Sequence, residues 1–527
     1  MYHKQARIRL FSGVAGVAAV VIACFFYLGL DAWGLATAPF TFVRYAAANF
    51  FPPAWGNLGV YARAVLQTVA FAAVSTMISA VLSVLFALLM AEAVMPWRGV
   101  RGLARLCMTF VRNIPVLIWA SILVMIFGIG SMVGLVALVL ATTGFLSRSY
   151  AESINEIAAR KLEGMRAAGV GTLGMIRHGL LPEFAPAFLN WTLFSFELGV
   201  RASAVLGMVG AGGMGTLLQT QLSLRRFHEV ATLVLLLIGV VLAIEFAANW
   251  LRKKVLHGGG AAVAPMAKPR VRPLCATVRR WLAAGGLAVL FFAALHYISL
   301  DVARFVGRFA RVPLILRAMA GVNTDMLLPG VRQFGVSFAM GVVGLALGGL
   351  LALVLAFLAA ENIAPSRAVA ALIKGFISLI RAVPTLIFIL MIVAAIGLGY
   401  TAGVVGLVLS SVGYLTKAFI ATIEEQPRGL ITALRATGAN WGQIVLHGLL
   451  PAVATGFLAW VAIRLETSVA ESVTLGVVGA GGIGTLLAQA IRRFDYPGVT
   501  VLIAIIVLGM IALEWLAGRV RRAIARV

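Results

Sequence analysis

The chain has 527 residues, of which 62% are hydrophobic and only 12% charged. A soluble domain carries about 25% charged residues, so the composition excludes a soluble globular protein and points to a membrane. The formal net charge of +25 would suit a nucleic-acid binder, but its placement excludes that reading.

In chain order, apolar runs of the kind that cross a bilayer as helices fall at 11–30, 65–94, 114–128, 131–151, 185–206 and 230–250. They return at 281–299, 334–360, 382–398, 401–422, 453–475 and 499–518. The runs are continuous and not alternating, which predicts about twelve transmembrane helices and no barrel strands. The first run reads as an uncleaved anchor, because no small-residue cleavage site follows Leu30 and because it matches 281–299. Basic residues crowd Lys4–Arg9, Arg98–Arg112, Arg160–Arg177, Arg252–Arg280 and Arg519–Arg526. With about six spans per half, all five clusters share one side, the positive-inside pattern, and both termini are expected in the cytoplasm. The expected surface partner is anionic membrane lipid, not nucleic acid.

Residues 252–280 hold Gly258-Gly-Gly260 and three prolines, and read as a flexible tether. In the segment 300–330, Arg304, Arg308 and Arg311 stand at i, i+4 and i+7 and share one helix face. This predicts an amphipathic surface helix interrupted at Pro313. Cys24, Cys107 and Cys275 show no metal spacing and suggest no disulfide framework. The six histidines form no metal-ligand pattern, and no nucleophile–base pair stands out.

One sentence of sequence occurs twice, at Gly207–Leu218 and at Gly476–Leu487, 269 positions apart. Pro115 and Pro384, Pro182 and Pro451, Glu197 and Glu466, and Glu245 and Glu514 keep the same spacing. The chain is therefore two homologous halves, 1–251 and 281–527, joined by the tether 252–280 and expected to be related by a pseudo-two-fold axis.

Three sets of residues could carry function. In the first, the segments 156–182 and 432–451 each show a Gly, eleven residues and then Leu-Pro, from Gly169 to Leu181-Pro182 and from Gly438 to Leu450-Pro451. A short amphipathic helix presenting one face to a partner fits this pattern near 160–178 and near 429–447. Glycine would allow a tight turn, and proline would break the helix before the next span. In the second, Gly210–Gly215 and Gly479–Gly484 satisfy G-x-G-x-x-G. They end membrane spans and precede no Lys-Ser or Lys-Thr, so dinucleotide and Walker readings fail. Close helix packing and a broken helix lining a path both remain open. In the third, Glu197 and Arg201 stand at i and i+4 and can pair. Counted from Pro182 they lie about 22 and 28 Å along the helix at 1.5 Å per residue. Ionisable groups at that depth are functional unless they only neutralise each other. The second half keeps Glu466 but has Ala470 at the arginine position, followed by Glu471.

The twin loops resemble the cytoplasmic Glu-Ala-Ala loop of ABC-importer permeases. Together with Arg112-Asn-Ile-Pro115, Arg381-Ala-Val-Pro384, Leu434–Ala439, Phe196–Arg201 and Val209–Gly215, the chain resembles the permease subunit of phosphonate importers, two copies in one chain. The resemblance implies an all-α integral membrane protein with the type I ABC-importer permease fold, duplicated in tandem, in a bacterial cytoplasmic membrane. It implies no enzyme activity and no cofactor in this chain, because ATP and Mg²⁺ would be held by two copies of a separate ATPase. It also implies a periplasmic or lipid-anchored substrate-binding protein. Glu163, Arg166, Gly169, Pro182, Arg435, Gly438 and Pro451 would then serve ATPase coupling, with Thr432 at the acidic position that Glu163 fills. Glu197, Arg201, Gly212, Gly213, Glu466, Glu471, Gly481 and Gly482 would line the substrate path, with Arg201 and the N–H groups of Gly212 and Gly213 facing a phosphorus oxyanion. Methionine and glycine-betaine permeases share the plan, and a secondary transporter with internal repeats is a further alternative.

Overall fold

The computed structural model describes residues 2–257 and 274–524 apart from 93, 172 and 173. Most of the expected tether lies outside the described residues. Among the described residues every regular element is helical. The first repeat contains α1 (Tyr2–Tyr27), α2 (Ala32–Asn49), α3 (Leu58–Met90), α4 (Arg98–Asn113), α5 (Val116–Phe127), α6 (Ser131–Ala167), α7 (Leu181–Leu206), α8 (Met214–Ser223) and α9 (Phe227–His257). The second contains α10 (Leu274–Tyr297), α11 (Val302–Gly307), α12 (Val312–Met319), α13 (Leu327–Ala359), α14 (Arg367–Ala382), α15 (Thr385–Ile396), α16 (Tyr400–Glu424), α17 (Arg428–Ala436), α18 (Trp441–Gln443), α19 (Leu450–Val477), α20 (Ile483–Arg492) and α21 (Tyr496–Ile524). Eight helices are long and apolar enough to cross a bilayer, or up to 12 spans if each of four bent pairs counts as one.

The bends have sequence causes. α4 meets α5 at 90° and α14 meets α15 at 89°, with Pro115 and Pro384 at the corners. Proline has no N–H and drives the residue before it out of helical geometry. Ile114 (φ −95°, ψ 116°) and Val383 (φ −89°, ψ 125°) are extended accordingly.

The compact units do not coincide with the sequence repeats. One comprises Pro52–Pro313, the other Met1–Phe51 with Leu314–Val527. Each unit thus takes its first helix from the other repeat. In the first unit α10 packs on α3, and Tyr297 Oη donates to the Arg63 carbonyl at 3.3 Å. In the second, α1 packs on α13, and Tyr27 Oη donates to the Arg332 carbonyl at 3.3 Å.

The central helix pair of each unit, α3 with α6 and α13 with α16, relies on small residues that let helices approach closely in lipid. In the first unit Ser79 Oγ donates to the Val139 carbonyl at 3.1 Å. The matching position in the second unit is Gly348, where a Cβ would stand 2.6 Å from Ser411 Cβ and 2.8 Å from the Val408 carbonyl oxygen. One interface is held by a hydroxyl, the other by closer backbone approach.

Two local expectations change. The segment after Leu300 breaks at Arg308, between α11 and α12, and not at Pro313. Pro313 sits in the first turn of α12, where a missing N–H costs nothing. The break lets Arg308 donate to the Phe127 carbonyl while Phe305 stacks on Phe127 with ring centroids 4.2 Å apart. Pro182 and Pro451 do not break their helices either. A π turn precedes each, Met175–Leu180 and Ile444–Leu449, with Leu181 N–H bonded to the Ile176 carbonyl and Leu450 N–H to that of Val445. The wider turn removes the clash between the proline ring and the carbonyl one turn back.

The contrast at the central helix pair is testable. Gly348→Ala is expected to destabilise by about 1–3 kcal/mol through overpacking, while Ser79→Ala costs about 1 kcal/mol for one hydrogen bond. Thermal unfolding of the purified protein in detergent measures both.

Candidate functional site

α7 and α19 each end in the glycine box. After α7 a π turn over Gly207–Ala211 leads into a reversal and then α8. Gly213 has φ +73° and its counterpart Gly482 has φ +77°, the left-handed region that glycine occupies without strain. A Cβ on Gly215 would stand 1.9 Å from the Ala204 carbonyl oxygen, and one on Gly484 2.0 Å from that of Val473. Thr216 and Thr485 close the turns by donating to the carbonyls of Gly207 and Gly476 at 2.7 and 2.8 Å. The box is a tight helical hairpin with the same build in both repeats, and Gly212 and Gly481 sit at its tip.

Some N–H groups there are committed to side chains. Gly213 N–H donates to Gln67 Oε1 at 3.1 Å and Met214 N–H to Thr68 Oγ1 at 2.9 Å. In the second repeat Ile483 N–H donates to Ser337 Oγ at 3.1 Å. Gln67 holds the Gly213 N–H that was expected to face an oxyanion, so an anion would reach it only by displacing that bond. The counterpart of Gln67 is Val336, so this tether is particular to the first repeat.

Just before the hairpin, α7 carries the expected pair. Arg201 Nη2 donates to the Glu197 carboxylate, and Glu197 is buried. The second repeat departs from expectation. Glu466 lies half-buried on α19, and Glu471 is gripped by Arg464, which reading in register had passed over because its counterpart is Ser195. Arg464 donates Nη1 to Glu471 Oε1 at 2.8 Å and Nη2 to Glu471 Oε2 at 2.9 Å. It also donates Nε to Ser411 Oγ at 3.4 Å, Nη1 to Thr467 Oγ1 at 3.2 Å and Nη2 to Ser410 Oγ at 2.7 Å. A guanidinium has five N–H donors, and these five bonds use them all. The available signal was the i, i+7 spacing of Arg464 and Glu471, two turns apart on one face.

At the opposite end of the helices the loops differ between repeats. α6 runs unbroken through the expected coupling segment to Ala167, whereas Pro427 ends the helical path after α16 and α17 starts anew. The first-repeat counterpart of Pro427 is Ala158. Gly169 (φ +75°) and Gly438 (φ +79°) end these helices in left-handed caps, with Val170 N–H bonded to Met165 and Ala439 N–H to Leu434 carbonyls. The side chains of Glu163 and Arg166 lie outside the described residues. Thr432 and Arg435 line a cleft of about 840 Å³ together with Glu361, Arg367, Lys374 and Glu424.

A tether spans each such cleft. Glu361 N–H donates to Glu424 Oε1 at 2.9 Å, and Lys374 bridges Glu361 and Glu424 at 2.8 and 3.0 Å. In the first repeat Glu92 N–H donates to Asn155 Oδ1 at 3.0 Å, and Arg105 pairs with Glu92 at 3.2 Å. The Lys374 ammonium holds the Glu361 carboxyl below the usual carboxylate range. The contribution of this contact is therefore complete at neutral pH and lost as pH falls through that depressed value.

The family described as "Binding-protein-dependent transport system inner membrane component" matches residues 83–257 and again 352–526. The chain belongs to that family. The permease is 31% identical over 462 residues to the "Phosphate-import permease protein PhnE" of Mycolicibacterium smegmatis, covering 86% of this chain and 84% of that one. It is 32% identical over 234 residues to the "Phosphite transport system permease protein PtxC" of Stutzerimonas stutzeri, covering 44% of this chain and 85% of that one. It is also 37% identical over 119 residues to the "Putative cryptic phosphonate transport system permease protein PhnE2" of Escherichia coli, covering 23% of this chain and 98% of that one. The all-helical, twice-repeated architecture is the importer-permease fold, multi-pass in the membrane, and the family is one of transport.

Two outcomes follow for the permease. Arg464→Leu strands Glu471 and is expected to cost roughly 3 kcal/mol, with much of it recovered in Arg464→Leu/Glu471→Leu, measured by thermal unfolding. Glu424→Asn keeps an acceptor for the Glu361 N–H, as Asn155 does in the first repeat, and is expected to stay within about 0.5 kcal/mol. Glu424→Leu removes that solvent-exposed bond and is expected to cost about 0.5–1 kcal/mol in the same assay.

Proposed function

We propose that this permease forms the transmembrane path of an ATP-driven importer for phosphonate or a related phosphorus oxyanion. Relatives named for phosphate, phosphite and phosphonate support the cargo class. The observation that carries the assignment to residues is the buried Glu197–Arg201 pair beside the first glycine hairpin. A guanidinium matches a phosphorus oxyanion by two parallel hydrogen bonds. An oxyanion there competes with Glu197 for Arg201, which keeps the site weak enough for release. Arg464 cannot serve in the same way, because its donors are spent within the protein. On this reading Glu466, Glu471, Gly481 and Gly482 are the second-repeat residues assigned to the substrate path.

On this reading the termini and both loop clefts face the cytoplasm of a bacterium. Two ATPase copies dock there, on segments containing Glu163, Arg166 and Gly169 in one repeat and Arg435 and Gly438 in the other, ahead of Pro182 and Pro451. ATP and Mg²⁺ are held by those partners. A periplasmic or lipid-anchored binding protein presents cargo at the other face, and the path alternates between outward-open and inward-open states.

The test is uptake into proteoliposomes holding the permease with its ATPase and binding protein. Phosphorus oxyanions are expected to accumulate with ATP, and methionine and glycine betaine are not. Arg201→Ala should cut uptake roughly tenfold or more, and Arg201→Lys less, since lysine keeps the charge but loses the planar fork. Unchanged uptake in both variants at equal expression would overturn the role of Arg201.

A further inference from the structure

The side-chain amide of Gln67 has two ends, and the hairpin uses one of them. Oε1 accepts the Gly213 N–H at 3.1 Å. An N–H needs an acceptor, so the carbonyl end of the amide is fixed on Gly213 and the NH2 end, with two donors, is left over. A Cβ on Gly212 would stand 3.3 Å from Nε2, so the NH2 lies beside the bare tip of the hairpin. Among the described residues no hydrogen bond engages Nε2. Gln67 is half-buried and stands on the membrane-crossing helix α3, about 14 Å from its start at Leu58 at 1.5 Å per residue. At that depth an amide NH2 facing hydrocarbon is costly. Its donors are satisfied by water or by a polar ligand in a path through the protein.

The second repeat closes the same place with apolar groups. The counterpart of Gln67 is Val336, which is buried. A Cβ on Gly481 would stand 2.2 Å from Tyr400 Cε1, so that tip meets an aromatic ring where the first meets an amide. The first-repeat counterpart of Tyr400 is Ser131. Anchoring alone does not call for an amide, because Thr68 and Ser337 already hold the next N–H of each hairpin through hydroxyls. Glutamine adds something a hydroxyl anchor lacks. It takes up one backbone donor and presents two of its own at the tip. Those donors are neutral, so they hold an oxyanion more weakly than a guanidinium does, which suits a site that must release its cargo.

We propose that Gln67 is a cargo contact of the first-repeat hairpin, its Nε2 donating to an oxygen of a phosphorus oxyanion while Oε1 stays on Gly213. The inference rests on the oxyanion reading of the path given above. Two variants separate contact from anchor. Gln67→Glu keeps an acceptor for the Gly213 N–H but puts an oxygen where the NH2 was, and Gln67→Met removes both ends. Uptake of phosphate, phosphite and methylphosphonate is measured at pH 8 in proteoliposomes holding the permease, its ATPase and its binding protein. Both variants should lose roughly tenfold or more in uptake of whichever oxyanion the unaltered chain carries. Basal ATP hydrolysis and the unfolding midpoint of Gln67→Glu should stay at the values of the unaltered chain. Unchanged uptake by Gln67→Glu overturns the proposal, whatever Gln67→Met does, and leaves Gln67 an anchor. Failure of the unaltered chain to take up any of the three overturns the oxyanion reading and this contact with it. The thiol of Gln67→Cys gives a readout that does not depend on transport. Its alkylation, followed on its own peptide by mass spectrometry, should be slowed about twofold or more by saturating oxyanion and not by methionine. Equal alkylation with and without the oxyanion overturns the contact.

Discussion

Lipid offers the backbone no hydrogen bonds, so every interruption of a helix must be satisfied from within the protein. This constraint explains which residues the two repeats share. Among the described residues, the interruptions that the repeats share include the proline corner, the π turn before Leu-Pro and the glycine hairpin. At the hairpin, Thr216 and Thr485 take up a carbonyl, and Thr68 and Ser337 take up an N–H. The identity of the glycine box in both halves follows from backbone chemistry alone. Its sameness argues for a scaffold, and any difference in function between the halves must be sought in the side chains around it.

Those side chains do differ, and each difference has a physical consequence. Ser79 against Gly348 exchanges a hydrogen bond for closer packing. Ala158 against Pro427 decides whether the loop helix is continuous with its span or hinged from it. Gln67 against Val336 decides whether the hairpin has a second anchor. Two separate chains encoded once could not hold both members of any such pair.

Much of the fold was legible because its signals are local or periodic. Apolar runs fix spans wherever they stand, and a 269-residue register aligns prolines and glutamates without any knowledge of contacts. The Glu197–Arg201 pair was legible for the same reason, being one helical turn. What escaped was non-local or out of register. That α1 packs on α13 and α10 on α3 leaves no trace in either helix. The π turns at Met175–Leu180 and Ile444–Leu449 look like ordinary helix followed by proline. Arg464 was hidden by the very register that revealed the rest, because its counterpart is Ser195 and its partner lies seven residues on.

The two arginines differ in how they are held. A transient anion site must trade one set of hydrogen bonds for another at little net cost. At Arg464 an arriving oxyanion would have to displace both oxygens of Glu471 and the hydroxyls of Ser410, Ser411 and Thr467 together, and each group left behind would be desolvated. That arrangement locks α19 to α16. At Arg201 the neighbouring carboxylate is on the same helix one turn away. Arg464 therefore fastens one helix to another, whereas the Arg201–Glu197 pair lies within one helix.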